Sequence, residues 1–132
     1  MNATVDRKER LVVVLDGQPV LEYRPGHALK ARQLEYLRRM DARLDAGIEL
    51  GGQAVARPDP VQRAQFVALR MIEALQAGEE QPAAAALAWL ATRMPDLKQV
   101  RAGTGGDAVP VELVFDEPWV EEVAVSFTPR LN

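Results

Sequence analysis

Apolar residues follow two different periods along this chain, and the places where the period changes mark the predicted elements. The run LVVVL at 11–15 is apolar on both faces, the pattern of a strand lying inside a sheet. Asp16-Gly17 follows, the dipeptide favoured by a type I′ turn because both central residues take positive φ. QPVLEY then completes a hairpin in which Val13 is expected opposite Val20, and Val12 opposite Leu21. Pro19 has no backbone donor, so this second strand is expected at a sheet edge.

A spacing of three and four takes over at Leu29, Gln33, Tyr36, Leu37, Met40, Leu44 and Ile48, predicting a helix over 28–46 closed by Gly47. GIELGGQAVARP then reads as an irregular connection. Asp59, Pro60 and Gln62 signal a second helix start: a side-chain cap, a proline in the first helical position and a glutamine placed to reach back. Its inner stripe is Val61, Ala64, Ala68, Ile72 and Leu75, and Gly78 ends it. After a short link, Pro82 and AAAALAWLATRM predict a third helix lying antiparallel to the second.

Alternation returns in the tail. LKQVRAG reads as a short strand, VPVELVFD puts Val109, Val111, Leu113 and Phe115 on one face, and WVEEVAVSF groups Val123, Val125 and Phe127. The order ββ-ααα-βββ predicts an α+β fold of two layers, an antiparallel sheet of four or five strands with three helices packed on one side. Residues 10–132 are expected to form that single domain, and the polar segment 1–9 to be flexible.

Composition narrows the classes. Hydrophobic residues at 48% and charged residues at 27% suit a globular domain rather than a disordered chain. The absence of cysteine excludes disulfides and thiolate metal sites. No segment approaches the roughly 18 apolar residues of a membrane helix, and the reading is a soluble, cytoplasmic chain with no membrane partner. A net charge of -3 argues against a nucleic-acid binder. The charge is uneven, +3 over residues 1–70 and -6 over 71–132, which can favour head-to-tail contact between copies.

Asp41, Asp45 and Glu49 stand four apart on the predicted first helix, the spacing at which carboxylates could share a cation. The other helices offer almost no further ligands: Glu73 is the only acid inside the second, and 83–94 holds none. The row therefore reads as a water-facing set in which Arg38 pairs with Asp41, and neither a metal nor another cofactor is expected.

His27 is the only histidine. With Arg24, Lys30 and Arg32 it stands at the expected start of the first helix, where free N–H groups and the positive dipole end suit a phosphate or carboxylate. The glycine pairs in ELGGQ and AGTGGDA lack the Lys-Ser/Thr of a phosphate loop and read as turns. No serine, threonine or tyrosine is marked as an activated nucleophile.

Trp119 lies between Asp116-Glu117 and Glu121-Glu122. It reads as a cap over the core or, if exposed, as an aromatic interface anchor with an acidic rim. Trp89 is expected in the core, and the small-residue surface of 83–91 offers a seam for a dimer. The sequence thus favours a non-catalytic protein over an enzyme, one that associates with itself or with a larger protein partner. The alternative is a binder of a small anionic molecule at Arg24, His27, Lys30 and Arg32.

Overall fold

The structure, a computed structural model, describes residues 10–24, 29–103 and 111–119. Strands β1 (Leu11–Leu15) and β2 (Gln18–Tyr23) form the expected hairpin, with Asp16 (φ 53°) and Gly17 (φ 82°) both left-handed as a type I′ turn requires. The register differs from expectation. Leu15 pairs with Gln18 and Val14 with Pro19, but the register then slips, so that Val13 meets Leu21, Val12 meets Glu22 and Leu11 meets Tyr23.

The reason is the side to which each residue must face. Without the slip, Leu21 would share the outward face of Val12, because a one-residue change of register turns every side chain over. A bulge leaves Val20 42% exposed and returns Leu21 and Tyr23 to the core beside Leu11 and Val13. It also puts Glu22 on the far face, within 3.4 Å of Arg10.

Helix α1 (Ala31–Asp45) leads into β3 (Ile48–Leu50) and β4 (Gln53–Val55), so the stretch expected to be irregular is a second hairpin. Its turn is Gly51-Gly52, with φ of 60° and 81°. Ile48 is buried, but it enters the core from β3 and not as a continuation of the helical stripe.

Helix α2 (Pro60–Gln76) begins as predicted: Asp59 Oδ1 accepts from the Gln62 N–H at 2.7 Å, and Gln62 Oε1 accepts from the Asp59 N–H at 2.9 Å. Val61 departs from its expected inward position and is 47% exposed. Helix α3 (Glu80–Arg93) follows after residues 77–79 and packs along α2. Ala83, Ala86 and Ala88 are buried, so the small-residue run is used inside the molecule to bring α3 close to its neighbours. Only Ala84 and Ala85, in the part of the run before Ala86, retain notable exposure.

Strands β5 (Gln99–Ala102) and β6 (Val111–Val114) complete a four-stranded sheet of order β2-β1-β5-β6. The β1–β5 pair is parallel, so the sheet is mixed where an antiparallel one was expected. Parallel neighbours need a long crossover, and the helical layer supplies it between these two strands. The described order is therefore ββ-α-ββ-αα-ββ, and the strand expected in WVEEVAVSF lies outside the described residues, as does segment 1–9.

The main core lies between sheet and helices. Leu11, Val13 and Val100 meet Leu37, Leu44, Val67, Ile72 and Leu90, all at most 3% exposed, and each such side chain contributes about 1.5–3 kcal/mol. The other face of the sheet is also buried at Val12, Val14, Gln99 and Val114. The stretch after β6 is fastened to that face: Gln99 Nε2 donates to the Glu117 carbonyl at 2.6 Å, and Arg10 Nη2 donates to the Trp119 carbonyl at 3.3 Å.

Candidate functional site

The acidic row is dispersed. Because α1 ends at Asp45, Glu49 belongs to β3 and does not continue a helical face. Asp41 is half-buried between helices: Trp89 Nε1 donates to its Oδ1 at 2.8 Å, and Arg93 pairs with its Oδ2. Arg38, expected to pair with Asp41, pairs with Glu35 at 3.2 Å, and Asp45 meets Arg63 at 2.9 Å. Among the described residues, no group of three or more His, Cys, Asp or Glu side chains could hold a metal ion. No helix among them is long and apolar enough to cross a membrane.

Trp89 is buried at 2% exposure, as the sequence predicts. Trp119 is half-buried, and its Nε1 is enclosed without a hydrogen-bond partner among the described residues. Asp116 and Glu117 beside it are both exposed. Glu121 and Glu122 lie outside the described residues.

The four residues of the expected anion corner have separate fates. Arg24 is tied to Glu22 at 2.8 Å, and His27 lies outside the described residues. Lys30 and Arg32 do come together, at the rim of a cleft of about 740 Å³ between the first turns of α1 and α3. The Lys30 N–H is accepted by Gln33 Oε1 at 3.1 Å, and Arg32 reaches Gln81 Oε1 at 3.5 Å. Tyr36, Pro82, Ala84 and Ala85 give the cleft an apolar floor.

A second cleft of about 550 Å³ is also lined by Tyr36 and Pro82, so the two adjoin at these residues and are together called a groove along the helical layer. It adds Arg39, Arg43 and Arg70, with Met40, Ala74 and Ala86 beneath them. The groove as a whole sets five cations, Lys30, Arg32, Arg39, Arg43 and Arg70, against two acids, Glu73 and Glu79. Arg39 is partnered by Glu35 at 3.3 Å. Arg43 and Arg70 instead lie over the Phe66 ring, their guanidinium carbons 5.3 and 5.6 Å from its centroid. Neither has a carboxylate oxygen within 4.0 Å among the described residues.

Burial pushes the Tyr36 phenol above its ordinary pKa, while the nearby Arg70 and Arg43 charges pull it back. It therefore stays neutral near pH 7, able to donate a hydrogen bond. Lys30 and Arg32 are legible in the sequence as a cationic helix start. Arg43 and Arg70 are not; the available hint is Phe66 one helical turn before Arg70, the spacing at which side chains on a helix meet.

Comparison with known proteins adds no relative: no protein-family model, curated protein or solved structure matches the chain. The groove offers charge, donors and an apolar floor. Neither histidine nor cysteine is among the residues that line it.

Proposed function

We propose that this protein works by association, receiving an acidic segment of a protein partner in the groove across its helical layer. The observation that carries this reading is the row of cations over an apolar floor. Lys30 to Arg43 spans thirteen helical steps, or about 20 Å at 1.5 Å per residue. A single small anion meets only part of such a row, whereas an extended peptide of about six residues covers it at 3.3 Å per residue. The floor would take apolar side chains of the partner between its acids. A duplex nucleic acid fits less well, because Glu73 and Glu79 would face phosphates.

Asp116, Glu117 and Trp119 form an acidic, aromatic stretch of this kind, so a second copy is one candidate partner. The reading is tested by fluorescence anisotropy with a labelled peptide alternating Glu and Leu, beside a Gln-Leu control. Binding of the acidic peptide that weakens as salt rises, and falls in the double variant Lys30→Gln/Arg32→Gln, supports the groove. Equal binding of both peptides overturns it. Size exclusion with light scattering decides the self-partner: a mass above 14.5 kDa that returns to the monomer value in Glu117→Gln supports it.

A further inference from the structure

We infer that Arg43 and Arg70, both laid against Phe66, form a clamp for one anionic oxygen group, a carboxylate or a phosphate. The inference rests on the groove being a binding surface and names the point in it where the ligand's charge is held.

Two guanidiniums reach the same aromatic ring from different helices, Arg43 from α1 and Arg70 from α2. Neither has a carboxylate partner among the described residues, so both charges are open to an anion from outside the chain. A guanidinium held over an aromatic ring still has N–H groups to donate, since the attraction to the ring does not use them all. Such groups match the paired oxygens of a carboxylate or phosphate.

Both arginines also stand where the 550 Å³ cleft meets another of about 630 Å³ that runs along β3, β4 and Phe66. An anion can therefore reach them from either side. Tyr36 lines the first cleft with them and offers a further hydroxyl donor. Glu73 is the opposing element. It lines both clefts, is exposed, and follows Arg70 by three residues, so it competes for the same guanidinium. Glu79 and Glu49 line one cleft each. The clamp is thus predicted to be tuned by the charge at Glu73.

The test follows the arginine side-chain N–H resonances of the unaltered protein in two titrations, one with inorganic phosphate and one with the Glu-Leu peptide. The clamp predicts saturable movement of the Arg43 and Arg70 signals together, absent with chloride at equal ionic strength. Arg43→Gln and Arg70→Gln should each weaken binding about tenfold, equivalent to about 1.4 kcal/mol, and Glu73→Gln should strengthen it. Signals that stay still, or move equally with chloride, overturn the clamp. Peptide binding that survives Arg43→Gln and Arg70→Gln but is lost in Lys30→Gln/Arg32→Gln sinks the clamp and keeps the groove reading. Phosphate that moves both arginines while the peptide does not bind keeps the clamp, sinks the peptide reading and assigns the site to a free phosphate-bearing molecule.

Discussion

Trp89 Nε1 donates a hydrogen bond to Asp41 Oδ1 at 2.8 Å, tying α3 to α1 across the edge of the core. Arg93 holds the other oxygen of the same carboxylate. The two partners are not equivalent. The indole belongs to a residue only 2% exposed, whereas the Arg93–Asp41 pair has side chains 39% and 34% exposed and is screened by water. Asp41→Ala should therefore cost about 1–3 kcal/mol, mainly through the indole donor left without an acceptor. Asp41→Asn keeps an acceptor and should cost less, and Arg93→Ala should cost about 0–1 kcal/mol. Urea unfolding of the three variants checks the order; equal losses from Asp41→Ala and Arg93→Ala would place the energy in the ion pair instead.

Tyr36 gives the protein an alkaline limb. Its folded pKa lies above the unfolded value of 10.0, first because of burial. Between these two values the unfolded chain has released a proton that the folded state retains. Stability is then fully present below the unfolded value and falls as pH rises through it towards the folded value. Melting temperatures of wild type and Tyr36→Phe across pH about 9 to 11 should show the steeper decline in wild type. Arg70 and Arg43 both lower this pKa, so Arg70→Gln should raise it further, read from tyrosinate absorbance as the difference from wild type.

The buried alanines of α3 make a different prediction. Ala86 is 1% exposed and Ala88 is fully enclosed, so there is no space for a larger side chain without moving α3. Ala88→Leu should destabilise by about 1–3 kcal/mol through overpacking. Ala84→Leu, at an exposed position on the floor of the groove, should leave urea stability within about 0.5 kcal/mol of wild type. A dimer seam along 83–91 would reverse this pattern, since Ala84→Leu would then change the solution mass and Ala88→Leu would not.

These contrasts show where sequence reading ends. The start of α2 is legible because the capping box at Asp59 and Gln62 is complete within four residues. The β1–β2 turn is legible for the same reason, yet the bulge at Val20 is not, because it depends on which side of β1 the helices cover. The parallel β1–β5 pair depends on where the helical layer returns the chain. Asp41 looks water-facing along its own helix; its partner Trp89 lies 48 residues away. The groove divides in the same manner. Lys30 and Arg32 are neighbours in sequence, whereas Arg43 and Arg70 meet only when two helices bring them to one phenyl ring. The β3–β4 hairpin is a different case, since Gly51-Gly52 between two short apolar-containing runs is a hairpin signal within the sequence itself.

Gly47 sets how closely that hairpin approaches α1. Its φ is 100°, and a Cβ there would stand 3.3 Å from the Val55 carbonyl oxygen, which is backbone and has little room to give. Gly78 has φ of 77° but open space around the same position. Gly78→Ala should therefore show the left-handed penalty alone, about 1–2 kcal/mol, and Gly47→Ala that penalty plus the cost of displacing β4. The difference between the two, measured by urea unfolding, isolates the contact. It should be accompanied in Gly47→Ala by faster hydrogen exchange at the β3–β4 amides, because the strand must shift to admit the methyl group. Equal losses with unchanged exchange would mean that the Val55 carbonyl yields without disturbing the pair.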